Sequence, residues 1–206
     1  MARHQRRRGH NLRRRVADRS ERRSFVILCE GKETEPQYLS ALKQLPEVHE
    51  AVSVDIRGPV GRPLQLVEAA IKVQSDNDET NEVWCVFDVE APQPHPNLKE
   101  ALALARDKGI NTAVSNPCFE IWLALHFDQH NAPLTTDDAV RLRRTHDGST
   151  GKEVTGELYM SLRTDAVHRA RDLSTYHVAN GTLFPNDNPS SSMFRLLEAI
   201  EPNTTK

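Results

Sequence analysis

The most constraining feature of this sequence is the run Phe25-Val26-Ile27-Leu28-Cys29, which stops abruptly at Glu30-Gly31 and is followed by Thr34. An apolar, partly β-branched run of this length predicts a strand, and its sudden end places Glu30 at the carboxyl edge of that strand. In open α/β sheets this is the edge where ligands bind, because strand ends and helix N-termini converge there. Thr34 reads as the N-cap of the next helix, with Pro36 in its first turn and Gln37 completing a capping box. Tyr38, Leu42 and Leu45, with Ala41 beside them, give that helix an apolar face toward the sheet. Glu30 is therefore expected to be displayed rather than buried.

The same alternation recurs along the chain. Residues 51–57 predict a second strand, Gly58 to Pro63 a turn, and Leu64, Val67, Ala70 and Ile71 a helical face. Val83 to Glu90 predicts a third strand, apolar enough to be covered on both faces, and it ends in Asp88 and Glu90. Where the strand stays extended these two carboxylates point the same way, and paired oxygen ligands suit a hard cation such as magnesium. An ordinary polar loop is the competing reading of an isolated pair. The proline-rich stretch 91–96 excludes regular structure, Leu98 to Lys108 reads as a helix stopped by Gly109, and residues 110–115 predict a fourth strand. In the following Asn116-Pro117-Cys118-Phe119-Glu120-Ile121-Trp122 segment, Asn116 suits a helix cap and Pro117 the first helical position. Glu120 falls in the first turn, either as a carboxylate favoured by the helix dipole or as a third acid near the other two. Helices are expected over 136–144, 157–173 and 191–200. Gly148-Ser149-Thr150-Gly151-Lys152 is too short from glycine to lysine, and lacks the preceding strand, to be a phosphate loop.

Charge is distributed unevenly. The first 23 residues hold ten arginines against Asp18 and Glu21, a charge of +8, so the remaining 183 carry −10 of the net −2. Such a segment buries too little apolar surface to fold alone. Residues 1–22 are read as a mobile arm and 23–206 as one domain. Within the arm, Arg6, Arg7, Arg8, Arg13, Arg14 and Arg15 suit phosphate groups of DNA or RNA, because guanidinium meets phosphate bidentately. Arg57 and Arg62 are further candidates for holding a nucleic-acid backbone. A solvated tail, or one held by an acidic surface, is the alternative. No apolar stretch approaches the roughly 20 residues of a membrane span, no signal-peptide core follows the arginines, and three widely spaced cysteines do not form a disulfide framework. A cytoplasmic protein is expected. Zinc is the lesser reading of Cys29, Cys85 and Cys118, for want of any CxxC pair. His126, at the end of an apolar helix, is read as a packed residue.

Several pieces in order resemble the RloB family, also called AbiLii-like. They are Glu30-Gly31 with Thr34-Glu35-Pro36 and Tyr38-Leu39, the Trp84 to Glu90 strand, Asn116 to Trp122 followed by His126-Phe127, and Asn188-Pro189-Ser190-Ser191-Ser192. The resemblance spans about residues 24–201. It implies a Toprim-like α/β fold with a mostly parallel central sheet flanked by helices and a helical C-terminal part. It also implies a metal-dependent nuclease of an anti-phage, abortive-infection type system, working with an AAA- or ABC-type ATPase on DNA or RNA. Glu30, Asp88, Glu90 and Glu120 carry over as the acidic site, with Asp88, Glu90 and Glu30 around Mg2+ or Mn2+. Glutamate stands at position 90 where the Toprim pattern usually has aspartate. Glu30 would complete the metal shell or act as general acid/base. The rival reading is a non-catalytic sensor or adaptor that binds metal, nucleotide or nucleic acid at the same edge and signals to the ATPase.

Overall fold

The structure, a computed structural model, describes residues 22–76 and 81–201. Four parallel strands form its centre: β1 (Arg23–Cys29), β2 (Val52–Arg57), β3 (Asn81–Asp88) and β4 (Asn111–Asn116). A two-residue β5 (Ser190–Ser191) adds antiparallel to β4, so the sheet order is β2-β1-β3-β4-β5. From β1 the chain moves outward to β2 and then returns past β1 to β3. Strand order thus reverses between β1 and β3, and the crevice at their carboxyl ends is a topological switch point. Glu30 directly follows β1 and Asp88 ends β3.

Eight helices complete the described residues: α1 (Thr34–Gln44), α2 (Pro46–Ala51), α3 (Pro63–Asp76), α4 (Leu98–Lys108), α5 (Phe119–Ala124), α6 (Thr136–Asp147), α7 (Gly156–Ala179) and α8 (Met193–Ile200). Strand alternation sorts them into two layers. Phe25, Ile27 and Cys29, with Trp84 and Val86, face α1, α5, α7 and α8. Val26 and Leu28, with Val83, Cys85 and Phe87, face α3 and α4. Burial on both sides explains why β1 and β3 are apolar at nearly every position. The expected α/β architecture with a helical C-terminal part is what forms. The expected mobile arm, Arg6 to Arg15 included, lies outside the described residues. No helix among those described is long and apolar enough to cross a membrane.

Aromatic rings lock α1, α5 and α7 together. Tyr38 meets Phe119, Trp122, His126 and Tyr159 edge-on, at centroid distances of 5.8, 6.0, 5.4 and 6.4 Å. Such edge-to-face pairs add about 0.5–1.5 kcal/mol each beyond simple burial. His126 is packed as expected: its Nδ1 lies 2.9 Å from the Trp122 carbonyl and its Nε2 3.1 Å from the Tyr38 hydroxyl. Burial pushes its imidazole down to about 3, so the ring is neutral, donating from Nδ1 and accepting at Nε2. Gly109 stops α4 as expected, in the left-handed conformation at φ 68° with its N–H turned back to Ala105 and Arg106.

Three local readings are corrected. Thr34 is the first residue of α1 and Glu33 its N-cap, with no side-chain cap hydrogen bond; the Gln37 amide oxygen instead accepts from Val154 N at 2.9 Å. Asn116 ends β4 and does not cap α5, which begins at Phe119 after Cys118. Its side-chain amide donates to the Pro185 carbonyl at 3.0 Å and to Asp187 Oδ1 at 3.2 Å. The segment before α8 is not helical from 191, because Ser190 and Ser191 form β5. Ser192 Oγ accepts from Val114 N at 2.7 Å, and Ser115 and Ser191 pair through their hydroxyls at 3.0 Å. The serine run therefore closes the sheet edge.

The Gly148–Lys152 loop is folded around a buried cation. Arg143 is only 1% exposed. Its Nε donates to Asp147 Oδ2 at 2.8 Å, and its terminal nitrogens reach the Gly151 and Glu153 carbonyls. The Tyr159 hydroxyl donates to the same Asp147 oxygen at 2.6 Å. Removing one partner of such a pair leaves the other charge buried and poorly paired. Arg143→Met is expected to destabilise the protein by about 3 kcal/mol, read as a lower urea midpoint at unchanged slope; a shift below about 0.5 kcal/mol would contradict the pinning role.

Candidate functional site: a carboxylate cluster at the sheet edge

The carboxyl ends of β1 and β3 bring together acids from four segments. Glu30 follows β1, and its backbone N–H continues the ladder by donating to the Val86 carbonyl at 3.0 Å. Its Oε2 accepts from Asp88 N at 3.3 Å, which ties the ends of the two strands together. On its other side, Glu30 Oε1 lies 3.0 Å from His95 Nε2, an ion-pair approach without hydrogen-bond alignment. Burial, offset in part by His95, holds the Glu30 carboxyl above the usual carboxylate range. It is half-buried, so the expectation of a displayed Glu30 is met only in part.

Asp88 sits at the centre of the cluster. Its Oδ1 is fully enclosed and has no hydrogen-bond partner. Desolvation, then the charges of Glu35, Glu120, Glu30 and Glu90, push its carboxyl well above the ordinary value. Glu90 belongs to the same group but not through strand alternation. β3 stops at Asp88, and Glu90 has a left-handed backbone at φ 70°, the only non-glycine residue with positive φ among those described. That conformation carries strain for a side chain with a Cβ. It is held by Glu90 N donating to the Pro117 carbonyl at 2.8 Å and by Thr136 Oγ1 donating to Glu90 Oε2 at 2.6 Å. The premise that Asp88 and Glu90 share a face of an extended strand is thereby corrected.

Glu120 lies in the first turn of α5, half-buried, close enough to raise the Glu35 and Asp88 carboxyls. Glu35 completes the cluster and was not singled out from the sequence as a site residue. It is buried in the first turn of α1, and its Oε1 accepts from Gly31 N at 3.1 Å. Burial raises its carboxyl too. A Cβ on residue 31 would stand 2.1 Å from the Glu35 carboxylate, so glycine there is what lets the carboxylate fold back onto the strand end. The available signal was the spacing Glu30-Gly31 to Thr34-Glu35, which a capping-box reading absorbed.

A family model described as RloB-like protein matches residues 25–200. The chain belongs to the RloB-like family. No curated protein and no solved structure matches it. The family assignment agrees with the resemblance read from the motifs, and it covers β1 through α8, including every carboxylate of the cluster.

Among the remaining candidates in this RloB-like chain, Arg62 is exposed at the start of α3, near enough to lower the Glu30 carboxyl. Arg57 ends β2 and is paired with Asp55 at 2.8 Å. Cys29, Cys85 and Cys118 are buried and free, with thiols raised by burial, Cys85 to about 12. They act as small apolar filler.

The donors around Asp88 are carboxylate oxygens, as a hard divalent cation requires, with the Cys118 thiol beside them, and the enclosed, unpartnered Oδ1 is the atom such a cation would satisfy. Among the described residues, no three His, Cys, Asp or Glu side chains stand in a metal-holding arrangement. Side-chain rotation within the cluster would be needed to form one. In the metal-free protein, Asp88, Glu30 and Glu35 hold their protons to higher pH in the fold than in the unfolded chain. The native state therefore binds more protons between the two values, and the stability these groups lend below the unfolded value is lost as pH rises through the folded one. Metal-free Asp88→Asn is expected to melt higher than the parent at pH 7, the gap shrinking toward pH 4. A lower melting temperature at pH 7 would contradict the enclosed-charge account.

Proposed function

We propose that this RloB-like chain is a metal-dependent phosphodiesterase, acting on DNA or RNA beside an AAA- or ABC-type ATPase in anti-phage defence. The observation that supports it most is Asp88: a half-buried carboxylate with one enclosed, unpartnered oxygen, surrounded by four further acids at a topological switch point. In water a cluster of this kind repels itself. It is useful where positive charge is to be held.

Asp88, Glu90 and Glu30 would hold Mg2+ or Mn2+. When bound, the ion supplies Lewis-acid polarisation of a phosphoryl oxygen and neutralises charge that develops in the transfer. The chain's own residues orient and move protons. Thr136 fixes the Glu90 carboxylate, and the Asp88 amide fixes that of Glu30. Where Glu30 does not complete the metal shell, it is raised by burial, faces His95 and is placed to take a proton from an attacking water or return one to the leaving oxygen. Glu120 and Glu35 close the inner side of the cluster. Arg62 and the arginine arm position the phosphate backbone without reading sequence.

The first experiment is calorimetric titration of Mn2+ or Mg2+ into the wild-type protein, Asp88→Ala and Glu30→Ala, repeated with a short oligonucleotide present. Saturable binding in the wild type and its loss in the variants is the expected result. Metal at 100 times its Kd should then add about 2.7 kcal/mol of stability. With the ATPase and Mn2+ present, cleavage is expected to fall roughly 10³-fold in Asp88→Ala, the scale of losing one preorganised electrostatic group. Metal binding without any cleavage under those conditions would replace the nuclease by the adaptor reading, and no metal binding even with oligonucleotide would remove both metal-based readings.

A further inference from the structure

A cavity of about 310 Å3 opens beside the carboxylates on the side of the sheet covered by α3 and α4. Arg62, Pro63, Leu64 and Gln65 form one wall at the start of α3, and His95, Pro96 and Asn97 form the other just before α4. Two of these residues connect it to the cluster. His95 Nε2 approaches Glu30 Oε1 to 3.0 Å, and the Arg62 charge acts on the same carboxyl.

The chemistry of the walls is specific in kind. Pro63, Leu64 and Pro96 make the interior mainly apolar, and His95 adds a flat aromatic face. Polar groups lie around it. Gln65 has its amide oxygen committed to Arg62 N at 3.2 Å, which leaves its NH2 to donate. The Asn97 side chain makes no cap hydrogen bond to α4. The Arg62 guanidinium makes no ion pair or hydrogen bond with a described residue. A ligand that matches has a flat, largely apolar ring, a hydrogen-bonding edge and an adjacent anionic group. A nucleotide has all three. The volume lies at the small end of ligand pockets, roughly 300–1,000 Å3, the size of one base and its sugar. Bases taken out of a stack are held in this manner, on aromatic or apolar side chains with their edges hydrogen-bonded.

We infer that this cavity receives one unpaired base of the nucleic acid whose phosphodiester meets the carboxylates, so that the chain acts on single-stranded or unstacked segments and not on continuous duplex. The inference rests on the phosphodiester reading above and narrows its substrate. Arg62 at the mouth binds the phosphate next to the inserted base, and Glu30 faces the neighbouring linkage. A free mononucleotide presents the same ring and phosphate, and the test separates the two.

The test uses the full chain at about 0.2 M salt, which weakens sequence-independent phosphate contacts made by the arginine arm. A single strand carrying one fluorescent base analogue, the matched duplex and a nucleoside monophosphate are titrated into wild type, Asn97→Trp and Arg62→Ala. Asn97→Trp narrows the mouth without removing a cap from α4. The wild type is expected to bind the single strand at least about tenfold tighter than duplex, the scale of one base stack, with a change in analogue emission. Both substitutions should erase that preference and the emission change. Equal affinity for single strand and duplex, or unaltered single-strand binding in Asn97→Trp, overturns the inference. Tighter binding of the free monophosphate than of the strand overturns it in favour of a nucleotide-sensing pocket. The emission change also survives Asp88→Ala if the pocket acts as stated, even where no cleavage is found. Asp88-dependent cleavage without any emission change removes the pocket inference alone.

Discussion

Mutual repulsion among carboxylates at one sheet edge is the constraint on which the rest of the site depends. Four acids surround Asp88, and one of its oxygens is enclosed without a partner. Charge in such a place is unfavourable by desolvation and by like-charge contact together, so the surrounding fold has to hold it there. It does so with the most firmly determined parts of the molecule. The parallel sheet fixes where β1 and β3 end, and the aromatic contacts of Tyr38 with Phe119 and Trp122 fix where α1 and α5 begin. Glu35 and Glu120 occupy the first turns of those two helices.

Much of this was legible in the sequence because it follows from period and termination. A strand buried on both faces reads as an unbroken apolar run, and the residue that breaks the run marks the sheet edge; Glu30 and Asp88 were found that way. The first-turn place of Glu120 was legible too, but it left open a dipole-favoured carboxylate or a third acid of the cluster, and the structure puts Glu120 beside Asp88. What stayed hidden depended on contacts between distant segments. Thr34 and Gln37 looked like the two ends of a capping box, whereas the Gln37 amide oxygen is taken by Val154, 117 positions later. Asn116 has the residue type of a cap, yet Pro185 and Asp187, some seventy positions later, claim its side chain. Local propensity is outweighed in each case by a tertiary hydrogen bond that no local pattern announces.

The two faces of the sheet divide the work at the edge. On the α1 and α5 side the neighbours of Asp88 are acids, which suits the holding of positive charge. On the α3 and α4 side the neighbours of Glu30 are Arg62 and His95, next to an apolar cavity. One edge thus presents an anionic half and a cationic, apolar half only a strand apart. A polyanion with flat apolar bases needs both halves: the second to hold it, the first to oppose its phosphate unless positive charge intervenes. The same polarity disfavours small anions, which would meet the acids without the compensating burial of a ring.

Glu90 shows how the helical part of the molecule enters the site. Its left-handed backbone would relax if nothing held it, and two contacts do: the Pro117 carbonyl before α5 and the Thr136 hydroxyl at the start of α6. Thr136 in turn closes a two-way link with Ala91, accepting from Ala91 N at Oγ1 and donating its own N–H to the Ala91 carbonyl. The far end of α6 carries Arg143 and Asp147, the buried pair that organises the following loop and ties it to Tyr159 of α7. The position of one site carboxylate is therefore set by a helix whose other end is fixed in the C-terminal layer.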